Sequence, residues 1–438
     1  MSVAIEHNIP LKNLLQGQIK LTPSPYDRIN QLRSKAINQI NTLNFPTKND
    51  EEWRFTDISP IAKIAFQSAQ KISQLQDSDI EKFYLTETAN RLVFIDGIYA
   101  PHLSTKLTEK SKSSGLVVSN LSTISPKDMT AIEPHLGCCT KIQDDVFAAT
   151  NTAFLHEGAL IIVPQNFSTE TPIHLLFIAT QKETSNHPRC LLIAKPGSKV
   201  TVIEDYVTIQ EEAYITNAVA EFILADSAHV NHIRVQRDSK DSFHMANCTV
   251  SLAQKSQYQS VSIAFGARIS RYNLNILLEG EGAECTADGI ALISQRQLSD
   301  THTCIDHIKP HCTSNQLHKC IIDDNAHAVF NGKIIVRPGA QLTNSNQSNR
   351  NLLLTPQAII NTKPQLEIFA DDVRCSHGAT IGQLDNEEIF YLRSRGLSET
   401  TARNLLTYAF GAEIIERLSI DSLKLKLEQA IHEQTQKN

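Results

Sequence analysis

The stretch Leu274-Asn275-Ile276-Leu277-Leu278-Glu279-Gly280-Glu281-Gly282-Ala283 decides how this chain folds. Side chains at 274, 276 and 278 share one face of an extended segment, because successive strand residues point to opposite sides. Glu281-Gly282-Ala283 then supplies a corner of small and polar residues. The same form recurs on both sides: Val200, Val202; Val230, Ile233, Val235; Val250, Leu252; Val261, Ile263, Phe265; and Ile334, Val336. Further corners fall at Pro196-Gly197-Ser198, Ala225-Asp226-Ser227 and Pro338-Gly339-Ala340. From Arg91 to Gly382 no long helical stripe interrupts the pattern. Many short strands with small-residue corners fit a large sandwich or a parallel β-helix, and the shared form of the turns favours the β-helix. At roughly 20–30 residues per coil, the region holds about eight to ten coils.

Both flanks read as helical. Ile29, Leu32, Ala36, Ile37, Ile40 and Leu43 keep helical spacing until Pro46. Asn49-Asp50-Glu51-Glu52 offers a second helix start with acids near its N-terminus, and Trp53, the single tryptophan, serves as a packing anchor. After Gly382, Asp385-x-x-Glu388 opens a short helix closed by Gly396. Ser398 caps another, carrying Leu405, Leu406, Ala409, Phe410, Ile414 and Leu418, and the polar end from Gln429 frays. The expected organisation is a helical region over 1–90, a β-helix with the segment leading into it over 91–384, and a helical region over 385–438. The fold class is mainly β.

A chain of 438 residues exceeds one ordinary core unless its centre is a solenoid. A net charge of −6 lacks the basic footprint of a nucleic-acid or anionic-membrane binder, so neither partner is expected. The longest apolar run, Gly158 to Pro164, is strand-sized and too short to span a bilayer. Met1 to Asn8 shows no basic and then apolar leader, and nine cysteines without one point to reduced thiols in the cytoplasm. No C-x-x-C pair occurs, which removes zinc-ribbon and thioredoxin chemistry. No phosphate-binding G-x-x-x-x-G-K-[ST] loop occurs either, so any nucleotide hydrolysis must come from a partner.

Two groups of residues have metal-ligating chemistry. His302, Cys304, His307, His311, Cys312, His318, Cys320 and His327 form the densest donor run, although its spacing matches no compact zinc motif and buried cysteine is a common small hydrophobe. Cys375 and His377 follow the strand-like run Gln365 to Phe369. At i and i+2 they put a soft sulfur and an imidazole on one face, a half-site for iron or zinc. The acid pairs Asp144-Asp145, Asp323-Asp324 and Asp371-Asp372 are poor acid–base dyads, since strand neighbours face opposite ways; they read as solvated corners.

Lys363-Pro364-Gln365-Leu366-Glu367-Ile368, then Ala370 through Asp385 and Ile389-Phe390-Tyr391-Leu392-Arg393-Ser394-Arg395-Gly396, closely resembles the C-terminal signature of the SufB/SufD family of iron–sulfur cluster assembly proteins. Asp50-Glu51-Glu52-Trp53-Arg54-Phe55-Thr56-Asp57, Phe147 to Pro164 and Val329-Phe330-Asn331-Gly332 resemble further parts of that family, so the likeness covers nearly the whole chain. Cys375-Ser376-His377-Gly378-Ala379 stands where the SufB branch has His-Glu-Ala, and SufB's Cys-Gly-Ala-His segment is missing, so the SufD branch is the nearer one. The resemblance implies a right-handed parallel β-helix between helical ends and a non-catalytic scaffold subunit. It implies pairing with a SufB-like paralogue through the β-helix, or with a second copy when alone. It also implies a SufC-like ATPase on the C-terminal helices, touching Phe390, Arg393, Arg395, Leu405 and Phe410. A transient iron–sulfur cluster gathers at the partner interface, with His377 the first ligand from this chain and Cys375 the second, and none is held by the isolated chain. His302 and His307 fit the family pattern and are expected at the dimer seam; Cys304 and Cys320 fall outside it. The alternatives are a SufB-like paralogue, a carbohydrate-active β-helix, or a solenoid that only binds partners.

Overall fold

The computed structural model describes residues 21–69, 73–105, 107 and 113–436; Met1 to Asn8 lie outside them. Strands alternate between two sheets, so sequence neighbours face each other across the core and spatial neighbours are one coil apart. One sheet runs in parallel from Ile173–Ala179 through Lys199–Thr208, His229–Arg237, Gln257–Ala264, Glu284–Ile293, Thr313–Ile322 and Thr343–Leu353 to Val373–Gly382. The other runs from Ala159–Val163 through Arg189–Ala194, Ile215–Leu224, Phe243–Leu252, Ile269–Leu278, Leu298–His307 and His327–Val336 to Ile359–Ile368. The result is a β-solenoid of about eight turns. A coil takes between 26 residues, from Phe243 to its neighbour Ile269, and 32, from His327 to Ile359.

The corners stack as regularly as the strands. Gly197, Ser227, Lys255, Gly282, His311 and Leu342 all have positive φ, between 52° and 68°. Each donates its N–H to a carbonyl in the next corner: Asp226, Gln254, Glu281, Pro310, Gln341 and Asp372 in turn, at 2.6–3.1 Å. Glycine takes this left-handed conformation freely, and the other four are held there by the ladder. In the last of these corners the left-handed residue is Leu342 rather than Gly339, the glycine that marks the corner in the sequence.

Inside the coils, Val200, Val202, Phe222, Leu224, Val230, Cys248, Val250, Leu252, Leu274, Ile276 and Leu278 form one continuous core. Val261 and Ile263 keep the same alternation but face outward. Together with Ile203, Ile233, Val235, Ile290, Leu292, Leu317 and Ile321 they make an apolar stripe on the outside of the first sheet. Ile414, Ile415, Leu418, Ile420, Leu423, Leu427 and Ile431 of the C-terminal helices cover it. The outer face of the second sheet is covered from the other end of the chain, where Ala36, Ile40, Phe45, Ile58, Ile61 and Phe147 meet Ile215, Phe243, Met245 and Ile269. Burying these stripes on both outer faces makes terminal helices and solenoid one packed body.

Helix α1, Asp27–Ile40, buries Ile29, Leu32, Ala36 and Ile40 as its spacing requires. The expected second helix at Asn49 is only a 3-10 turn, Glu51–Trp53. There the Asp50 carboxylate turns back to accept from the Thr47 N–H at 2.7 Å, and Glu51 and Glu52 are drawn onto the solenoid. Val146–Ala153, here α2, is a fully buried helix ahead of the coils, capped by the Asp145 carboxylate on the N–H groups of Phe147 and Ala148. Asp145 is thus a cap and no solvated corner. After the solenoid come α3, Asn386–Ser394, α4, Glu399–Ile415, and α5, Asp421–Gln436. The expected frayed end is helical through Gln436 because Ile431 seats on the outer stripe. Among the described residues no helix is long and apolar enough to cross a membrane.

Candidate functional site

The two ends of the solenoid differ. At the N-terminal end the last strands are the short Ile98–Tyr99 and Val117–Asn120, paired antiparallel onto the sheets. At the other end Val373–Gly382 and Ile359–Ile368 each have a neighbour on one side only among the described residues. Two ten-residue strands therefore present free backbone edges.

Register decides where Cys375 and His377 point. Cys375 continues the inward column Ser314, Ser345, and His377 continues Gln316, Gln347. In the closed coils these columns are buried and hydrogen-bonded: Ser314 Oγ lies 2.7 Å from Ser345 Oγ, and Gln347 Nε2 donates to Gln316 Oε1 at 2.7 Å. His307 extends the serine column, its Nε2 lying 2.9 Å from Ser314 Oγ. With no coil beyond among the described residues, Cys375 is half-buried and His377 exposed. Burial pushes the Cys375 thiol up, against a smaller downward pull from a backbone hydrogen bond at Ser345. The pair presents one sulfur and one imidazole from the same face of an open edge, a donor set suited to iron or zinc when a second surface completes it. Ile359, Ile368, Phe369 and Ile381 are exposed around it.

The motifs scattered along the sequence meet near this end. Glu52 Oε2 lies 3.1 Å from His302 Nδ1 and accepts from Asn331 Nδ2, and its carbonyl accepts from Arg271 Nη1 at 2.7 Å. Glu51 pairs with Lys363 at 2.7 Å. Trp53 lies under the Arg271 guanidinium, 3.9 Å from its ring centre, and against Phe147. Trp53 is thus an anchor, between Arg271 of the sheet and Phe147 of α2. Thr56 and Arg271 both donate to the buried Asp300 carboxylate. The Asp50–Asp57 motif therefore clasps the outer face of the second sheet, where Asn331 meets it, while Phe330 and Gly332 face inward. Gly332 has no room for a side chain, since a Cβ there would collide with the Gln347 amide and approach Phe330 at 2.8 Å. We expect Gly332→Ala to cost about 1–3 kcal/mol in urea unfolding and to displace Gln347, the support beneath His377; an unchanged midpoint would contradict this.

The histidine–cysteine run does not form a centre. His302 and Cys304 lie on the outer face of the second sheet, above a cleft of about 710 Å³. His307 is buried on the inner face, and burial holds it down to about 4. His311 is a corner, Cys312 and Cys320 are core residues, and His327 lies 2.7 Å from Asn361 Oδ1. His318, likewise held at about 4 by burial, lies against Phe330. Alternation sends neighbouring donors to different faces, and spacing alone could not show which face was inside. Among the described residues the one compact group of such donors is Cys138, Cys139 and Glu221, of which the sequence showed only the adjacent thiols.

Residues 177–410 match the family model "SUF system FeS cluster assembly, SufBD core domain", and residues 14–175 match "SufBD protein N-terminal region". An iron-sulfur cluster assembly SufBD family protein of Synechocystis sp. is 40% identical over 91% of this chain and 89% of its own. The iron-sulfur cluster assembly protein SufD of Escherichia coli is 34% identical over 89% of each chain, and that of Bacillus subtilis 25% identical over 91% of this chain and 92% of its own. With both family models matched end to end along one clasped solenoid, the chain belongs to the SufBD family of iron–sulfur cluster assembly proteins.

Proposed function

We propose that this chain is the SufD-type subunit of a scaffold on which iron–sulfur clusters are built, pairing through the open end of its solenoid with a SufB-like paralogue. The observation that carries this is the edge of Val373–Gly382, unpaired among the described residues, with Cys375 and His377 on one face and exposed apolar side chains around them. A paralogue with the same kind of edge would satisfy the free backbone groups and bury that apolar surface. The nascent cluster, as cargo, would sit at the seam, with His377 the first ligand from this side and Cys375 the second. Without the paralogue the same edge could pair two copies of this chain about a two-fold axis. His302 and His307 take no part at the seam in this reading, since each is already engaged within the chain.

The chain itself supplies no hydrolysis in this reading; a SufC-like ATPase docks on the C-terminal helices. Phe390 is 72% exposed and Leu405 47% exposed, so both offer apolar surface to a partner. Arg393 is oriented by Glu399 at 3.2 Å, and Arg395 lies over the Tyr391 ring. Phe410 faces the solenoid, where Lys319 sits 4.6 Å from its ring and donates to its carbonyl at 2.8 Å. It fastens the docking helix to the sheet that ends in Cys375 and His377. Movement of the helices with nucleotide state would thus act on that sheet directly. Phe390→Ala combined with Leu405→Ala should weaken capture of a SufC-like ATPase by about 2 kcal/mol, roughly thirtyfold in Kd, with an unchanged melting temperature. Undiminished capture would refute docking here.

A further inference from the structure

Cys138 and Cys139 stand apart from everything described so far. They lie between Pro126–Ile132 and Val146–Ala153, in a loop held on the outer face of the second sheet. The buried Glu221 carboxylate holds that loop, accepting from the Gly137 N–H at 3.0 Å and the Cys139 N–H at 3.1 Å. Glu221 is itself fixed by the buried Arg189, which also donates to Asn151, Thr152 and Thr140. The two sulfurs are 3.2 Å apart. Cys138 is exposed, Cys139 half-buried, and both line a cleft of about 920 Å³ with His135, Lys141, Ser251 and Glu279.

We propose that Cys138, Cys139 and Glu221 form a binding site for a thiophilic divalent cation of the zinc class. Their donor atoms all lie within 4.8 Å of one another. Zinc–sulfur bonds of about 2.3 Å place tetrahedral donors a little under 4 Å apart, so a small rotation of the thiols closes the site. Charge also balances: two thiolates neutralise the dication, while Glu221 already has Arg189 as counter-ion. The hydrogen bond from Cys139 holds the Cys138 thiol below its ordinary value, and the same bond raises Cys139. Both thiol protons leave to solvent when the metal binds. Water in the cleft supplies the remaining ligand. Five strand spacings separate Ile215–Leu224 from Ile359–Ile368, roughly 24 Å, so this site is separate from the open end.

The test uses the full chain, reduced, in a Cys375→Ser, His377→Ala background that removes the open-end donors. Co2+ alone is titrated in and followed by thiolate-to-cobalt charge-transfer absorption, then displaced with Zn2+. One equivalent should bind with the intensity of two thiolates. Cys138→Ser or Cys139→Ser should each weaken binding at least about tenfold, and the double variant should abolish the signal. Both positions are at least partly exposed, so these variants keep the fold, which circular dichroism verifies. An unchanged signal in the double variant, or none in the background chain, would overturn the assignment. So would oxidation of the pair to a disulfide without any metal uptake in its reduced form.

Discussion

His377→Ala in the assembled complex should cut cluster accumulation about tenfold or more, while leaving the fold and the complex intact. The imidazole is exposed on an end strand and bears no packing load, so the stability change should stay within about 0.5 kcal/mol. What is lost is a nitrogen donor on the same face as Cys375, in line with the hydrogen-bonded column of Gln316 and Gln347. Cys375→Ser should cost less, because the half-buried thiol ranks second as a donor and serine already occupies the same column at 314 and 345. The measurement is visible absorption per complex after anaerobic reconstitution with iron and sulfide, alongside the complex mass and melting temperature. Normal accumulation in His377→Ala would remove it from the ligand set and leave the edge as a purely structural contact.

Asp300→Ala should be the most damaging single change in the clasp, at about 3–5 kcal/mol. The carboxylate is 1% exposed and accepts from Thr56 at 2.6 Å and Arg271 at 2.7 Å, with His302 Nε2 at 3.0 Å. Removing it strands a buried guanidinium and lets the Asp50–Asp57 segment lift from the sheet. Burial alone would raise the Asp300 carboxyl, but the Arg271 and His302 charges prevail and hold it at about 2. Asp205 is also held at about 2, where Arg237 and His174 outweigh its burial. Each folded value lies below the unfolded one, so the stability they add is present above roughly pH 4 and is lost as pH falls through about 2, on the order of 2–3 kcal/mol apiece. His302 works in the other direction. Burial lowers it, but Asp300 and Glu52 raise it overall, so its contribution is full below its unfolded value and fades as pH rises through the folded one. Urea midpoints across pH should therefore show an acid limb that Asp300→Ala flattens. An acid limb identical to that of the unmutated chain would contradict the clasp.

Alternation and corners disclosed the β-solenoid because both follow from local geometry: period two on the strands, and a left-handed residue at each turn of the ladder. Alternation could not say which face was interior. Val261 and Ile263 show the same pattern as Leu274 and Ile276, yet the first pair packs under the C-terminal helices and the second lies inside. The interior is also more polar than the apolar runs indicate. His232 bridges the Tyr258 hydroxyl and Glu204, and Arg234 lies between the Tyr206 and Tyr272 rings. Such groups are stable only because partners from other coils meet them, which no local window of sequence contains. The same reason explains the histidine–cysteine run, dispersed by register, and the Cys138, Cys139 and Glu221 group, assembled where a loop meets a strand distant in sequence. Cys375 and His377 were legible as a pair because i and i+2 share a face wherever the strand lies. Their place on the last strand of a sheet needed the whole topology.

The account rests on the open end being half of an interface. The most direct measurement is the mass, by light scattering, of this chain co-expressed with SufB-like and SufC-like proteins from the same source. A single species containing all three is the predicted result. A lone monomer or a dimer of this chain alone, with both other proteins present and folded, would contradict it.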